Sequence, residues 1–73
     1  MGKAAEIRIR KRFGSRLRLI RTEKNLTQEA LALRCGLDRS YVGGVERGDR
    51  NVSLVNIHKI ASALSVEPSE LLK

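Results

Sequence analysis

Seventy-three residues carry fifteen Lys and Arg against eight Asp and Glu, a formal net charge of +7, with a single cysteine. That length confines the chain to one domain burying only about 60% of its unfolded surface, a margin that natural chains of this size often widen by pairing with a copy of themselves. The lone Cys35 excludes an internal disulfide and fits a reducing, cytoplasmic compartment, and no apolar run approaches the roughly 20 residues of a membrane span.

Met1 to about Arg8 is polar and reads as a frayed, flexible basic arm ahead of a domain over residues 9–73. No apolar block follows its charges, so it is not a secretory signal. From there Ile9, Phe13, Leu17 and Ile20 recur at spacings of four, four and three, one face of a helix, with Arg10, Arg12, Arg16 and Arg18 largely off it. Asn25 suits the left-handed position after this helix, and Gly14 inside it marks a close backbone approach. The charge is lopsided: nine basic and two acidic residues in 1–24 supply the whole +7, and residues 25–73 are neutral. A basic excess favours polyanions, although most such charges only solvate a helix face.

Thr27 is a good N-cap for a short second helix that Gly36 stops, and Asp38 for a third that Gly48 stops, with Tyr41, Val42 and Val45 as its apolar positions. Ser53 can cap a fourth, along which Leu54, Ile57, Ile60, Ala61 and Leu64 form a stripe. Pro68 fits the first turn of a last short helix ending in Leu71 and Leu72. The reading is an all-α domain of five helices.

The segment QEALALRCGLDRSYVGGVER, Gln28 to Arg47, meets the demands of a helix-turn-helix. The turn needs a positive φ, which Gly36 adopts at little cost. The helix crossing needs a small residue, Ala32, and the core needs apolar ones, here Leu31, Leu37, Val42 and Val45. An ordinary helical hairpin has no reason to satisfy all six positions together.

On these residues, the stretch LTQEALALRCGLDRSYVGGVERGDRNVSLVNIHKIASALSVEPSELL resembles the Cro/repressor type of helix-turn-helix domain (the XRE family). Within it, LDRSYVGGVERGDRNVSL is most similar to the controller proteins of bacterial restriction–modification systems. The resemblance implies a compact five-helix, lambda-repressor-like domain that binds a pseudo-palindromic operator in double-stranded DNA as a homodimer. It implies no cofactor or metal, activation then repression of its own operon, and RNA polymerase as a further partner when it activates. A phage-type repressor or an antitoxin of the same fold is an alternative within the class. A protein-interaction module that has lost DNA binding is the alternative outside it, and RNA binding is disfavoured because stacking aromatics are nearly absent.

A recognition helix offers its N-terminal side chains to the major groove, which puts Arg39, Ser40 and Tyr41 in the reading position, with Gly43 and Gly44 one turn on. Where related repressors carry a reading side chain, Gly44 leaves a gap, so part of the specificity is expected from DNA shape. Thr27 at the second helix's N-terminus and Arg47 after the third are expected phosphate contacts, and the resemblance adds Gln28, Arg50, Asn51 and Ser53. Arg21 and Glu46 occupy positions where related repressors keep a buried ion pair. Leu64, Val66, Leu71 and Leu72 are expected at the dimer interface, setting two recognition helices about 34 Å apart.

Cys35 reads as a small core residue and His58 as a lone surface imidazole without a metal partner. Glu67 and Glu70 read as serving the last helix's N-terminus. No nucleophile–base set and no phosphate-binding glycine loop is present, so the chain reads as a non-enzyme.

Overall fold

The computed structural model describes all 73 residues as five helices and no strand: α1 (Lys3–Glu23), α2 (Gln28–Cys35), α3 (Arg39–Arg47), α4 (Leu54–Leu64) and α5 (Pro68–Leu71). None of them is long and apolar enough to cross a membrane. Twelve buried apolar residues from all five helices form one core, with Leu17, Leu31, Val42, Ile60 and Leu71 completely enclosed.

The expected arm is instead helical. α1 starts at Lys3 and runs for 21 residues, with Gly2 extended at its N-cap. Ala4, Ala5 and Glu6 are strong helix formers, Glu6 complements the dipole, and the turns behind supply the costly nucleus. The missing apolar stripe, which suggested fraying, reflects how little of this end is packed. Ile9, expected on the buried face, stands 53% exposed, and burial begins at Phe13.

Chain direction changes where the sequence signals it. Asn25 adopts φ 58° and Gly36 φ 71°, each turning the chain out of a helix. Thr27 Oγ1 accepts from the Ala30 N–H at 3.0 Å, and Ser53 Oγ from the Asn56 N–H at 3.1 Å. Asp38 holds the N-cap position of α3 without its side chain making the capping bond. Leu54, assigned to the stripe of α4, is 71% exposed because it opens the first turn, before the helix reaches the core.

α1 crosses α3 at very short range. A Cβ added to Gly14 would collide with the Val45 carbonyl oxygen and lie 2.8 Å from the Glu46 carbonyl carbon. At the other end of the crossing, a Cβ on Gly48 would lie 3.0 Å from Lys11 Cα. Two glycines therefore set the spacing of these helices, and through it the tilt of α3.

Gly14→Ala adds about 1 kcal/mol of helix propensity. It also forces a methyl group onto backbone that has no rotamer to give, at the upper end of overpacking costs, about 3 kcal/mol. A net loss of about 2 kcal/mol is expected as a lowered urea midpoint; unchanged stability would mean that the helices are not this close.

Candidate nucleic-acid interface

α2, the turn at Gly36 and α3 form the helix-turn-helix. Leu31, Ala32, Val42 and Val45 are buried and Leu37 is half-buried, so α3 is held by its inner face and offers its outer one. Arg39 and Ser40, in the first turn of α3, are exposed. Tyr41 is half-buried; its hydroxyl accepts a hydrogen bond from Asn56 Nδ2 at 3.1 Å, which ties the reading helix to α4.

The expected gap at Gly43 and Gly44 is filled by the chain's own side chains. A Cβ on Gly43 would lie 3.3 Å from Arg47 Nη1 and 3.4 Å from Gln28 Oε1. One on Gly44 would lie 3.2 Å from Arg50 Cγ and 3.3 Å from Arg50 Nε. Both glycines are buried under these side chains. The Arg50 guanidinium also sits over the Tyr41 ring, 5.8 Å from its centroid, within cation–π range. The glycine pair is thus a shallow bed in which arginines lie flat, and Arg50 shares the face of Tyr41 and Gly44.

Arg21 and Glu46 form the expected ion pair. Arg21 Nε donates to Glu46 Oε2 at 2.6 Å and Nη2 to Oε1 at 2.9 Å, while Nη1 donates to the Leu26 carbonyl at 2.7 Å. Gln28 Nε2 adds a bond to Glu46 Oε1 at 3.0 Å. Burial pushes the Glu46 carboxyl up, but the bonds from Arg21 and Gln28 and the charges of Arg21 and Arg18 outweigh it and hold the group below its usual range. The bond to Glu46 holds the Arg21 guanidinium above its usual value. Gln28, expected on phosphate, is therefore already committed inward through its amide nitrogen.

The other expected contacts surround α3. Thr27 is exposed at the N-terminus of α2, where free N–H groups point outward. Arg47 donates to Asp49 at 3.0 Å in an exposed pair, which contributes at most about 1 kcal/mol and gives way readily to a phosphate. Arg50, Asn51 and Ser53 are exposed in the loop between α3 and α4.

Leu64 and Leu71, expected between protomers, are 2% and 0% exposed and belong to the chain's own core. In so small a domain the last helices have to close that core. Val66 is half-buried and Leu72 is 63% exposed. Glu70 lies in the first turn of α5, as expected, and also accepts from Arg16 Nη2 at 3.2 Å and pairs with Lys73 at 2.8 Å. Cys35 is buried, and burial raises its thiol against the opposing charge of Lys59. His58 Nδ1 bonds the Leu54 carbonyl, and no group of three or more His, Cys, Asp and Glu side chains is placed to hold a metal ion.

Sequence reasoning missed Asn56 and Arg10, whose Nε donates to the Gly48 carbonyl at 3.0 Å. Neither belongs to a periodic pattern; each acts through one long-range bond.

The HTH_3 helix-turn-helix family matches residues 17–71. Control protein C.BamHI of Bacillus amyloliquefaciens is 54% identical over 65 residues, 88% of this chain and 80% of that protein. Control protein C.MunI of a Mycoplasma species is 48% identical over 64 residues, 86% of each. Among solved structures, the restriction-modification controller protein C.AhdI of Aeromonas hydrophila superposes with a TM-score of 0.83 at 69% identity, covering 84% of this chain and 92% of that one.

The Glu46 shift fixes a pH dependence. Its folded carboxyl ionises below the unfolded one, so its contribution is complete above about pH 4.3 and is lost as pH falls further through the folded value. Glu46→Gln leaves Arg21 buried without a charge partner, at a cost of about 3–5 kcal/mol, and flattens the fall in urea midpoint between about pH 5 and 3. An equally steep fall in the variant would assign the acid sensitivity elsewhere.

Proposed function

The chain belongs to the HTH_3 helix-turn-helix family, and on that premise we propose that it is the controller of a restriction–modification system, binding operator DNA as a homodimer and activating then repressing its own operon. It is a DNA-binding transcription regulator. The finer assignment is supported by the controller proteins to which it is similar over most of both chains. One observation carries the mechanism: Arg39 and Ser40 stand exposed at the start of a helix whose body is locked from behind by Arg21, Glu46 and Gln28.

In this reading α3 enters the major groove. The Arg39 guanidinium pairs with guanine O6 and N7, Ser40 bonds an adjacent base edge, and Tyr41 packs its ring beside them. Arg50, lying along Gly44, supplies the side chain which that glycine lacks. Thr27, Arg47, Asn51 and Ser53 hold phosphates and set register. Gln28 supports them from within, through Glu46.

Dimerisation uses what the core leaves outside. Leu72 and Ile9 stand exposed along one groove of about 340 Å³, whose far wall carries Arg50 and Asn51 of the loop after α3. In this reading a second copy packs on Leu72 and Ile9, leaves Arg50 and Asn51 open to DNA, and sets the two recognition helices on successive major grooves, with RNA polymerase as a further partner of the promoter-bound dimer.

Two substitutions test the assignment. Footprinting upstream of the chain's own gene is expected to reveal paired half-sites, and Arg39→Ala to weaken binding there by about 5- to 150-fold with little change on competitor DNA; an equal loss on both would place Arg39 on phosphate. Leu72→Asp is expected to convert the dimer to the 8.2 kDa monomer in sedimentation with helical content retained, whereas an unaltered dimer would exclude this face.

A further inference from the structure

We infer that Arg10 is a positioning residue for DNA reading: the front of α1 braces the loop at residues 48–52, and thereby Arg50, against the recognition helix. The inference rests on the reading of α3 and Arg50 given above. Three observations place the brace. Arg10 Nε donates to the Gly48 carbonyl at 3.0 Å in a half-buried bond that joins positions 38 residues apart. Gly48 itself lies against the α1 backbone at Lys11, so the loop leaves α3 in contact with α1. Two residues on, the Arg50 side chain lies along Gly44 and over the Tyr41 ring.

The physical need is clear. After Gly48 turns out of α3 at φ 84°, the Asp49 N–H returns to the Gly44 carbonyl at 2.9 Å, and Asp49, Arg50 and Asn51 are then exposed. An exposed loop with so few ties opens readily. A long side chain such as Arg50 keeps one position over the reading helix only if its backbone is fixed. The charge-assisted bond from Arg10 to the Gly48 carbonyl supplies that restraint from a rigid helix. It comes from the front of α1, ahead of the span matched by the family, and Arg10 acts on reading through the loop it holds.

The charged neighbours leave Arg10 this role. Arg12 is bound to the Lys73 carbonyl and Arg16 to Glu70, which fasten α1 to the end of the chain rather than to α3. Glu6 shares a pocket wall with Arg10 and Asn51, but the guanidinium is directed to the carbonyl.

The test compares the full chain with Arg10→Met, which keeps the stem and removes the donor, and Arg10→Lys, which restores a charged donor. Two readouts are used. In free protein, backbone amide order parameters at residues 48–52 are expected to fall in Arg10→Met from about 0.85 toward 0.6. On a duplex selected by the unsubstituted chain from a random-sequence pool, discrimination against a scrambled duplex is expected to fall about 5- to 10-fold, part of what one bidentate base contact provides. Affinity for the scrambled duplex should stay within about two-fold, and Arg10→Lys should recover most of the loss. In an Arg50→Ala background, Arg10→Met should remove no further discrimination, because coupled residues do not add.

Equal losses on both duplexes, or additive losses with Arg50→Ala, would overturn the inference and leave Arg10 a stabiliser of the fold. If the unsubstituted chain selects no sequence, the reading of α3 fails with it. If it selects one and Arg10→Met discriminates equally well, only the inference fails.

Discussion

The helix-turn-helix depends on a buried carboxylate. Glu46, near the end of α3, receives two bonds from Arg21 of α1 and one from Gln28 of α2, and Arg21 also fastens the Leu26 carbonyl in the chain between them. Three helices meet at that carboxylate, and Arg21 extends the network to the loop between α1 and α2. A buried ion pair roughly breaks even against a well-packed apolar replacement, so this one is not chiefly a source of stability. What it supplies is direction. Apolar contacts tolerate sliding and rotation, whereas a bidentate guanidinium–carboxylate pair is satisfied in one arrangement. Because Glu46 lies two turns along the helix from Arg39, orienting one orients the other.

The glycines complete that constraint by distance. Gly14 lets α1 touch the carbonyls at residues 45 and 46, within reach of the Arg21–Glu46 bond. A wider spacing would draw the guanidinium off the carboxylate and open the core at Leu17 and Val45. Gly43 and Gly44 act on the opposite face, where the missing side chains admit Arg47 and Arg50. Close packing behind α3 and a cationic lining in front of it thus come from the same residue type, used against backbone in one place and against flexible side chains in the other.

Much of this was legible in the sequence. Gly36, Thr27, Ser53 and Asn25 announce the turns and caps because their roles are local, set by φ or by a side chain reaching three residues ahead. Arg21 and Glu46 were legible only through resemblance, since no periodicity pairs residues 25 positions apart. The front of α1 carries no such signal, because an apolar stripe reports packing and not helicity, so an unpacked extension of a long helix has none. Leu64 and Leu71 lie in the core and not between protomers for a related reason. A core position and an interface position place the same demand on residue type, and only the closure of the whole fold shows which leucines remain outside. Arg50 is expected on phosphate through the resemblance, and its position over Gly44 and the Tyr41 ring follows from no sequence pattern, because the bare surface that admits it comes from another part of the chain.

The charge of the chain also takes a different meaning once its partners are known. Nine basic residues in the first 24 supply the whole excess, yet Arg10, Arg12, Arg16 and Arg21 are each bound to oxygen atoms of the chain itself. Arg10 and Arg12 bond only backbone carbonyls, which leave the positive charge in place, whereas Arg16 and Arg21 are also paired with Glu70 and Glu46. The long-range field therefore persists and steers a polyanion toward the molecule, raising association rates at low salt. The number of phosphates neutralised on contact is a separate quantity, and it sets how steeply affinity falls with salt. Arginines committed to bracing the fold contribute to the first and little to the second. Net charge alone thus says that a polyanion is attracted, while the exposed Arg39, Arg47 and Arg50 around α3 are the groups proposed to hold it.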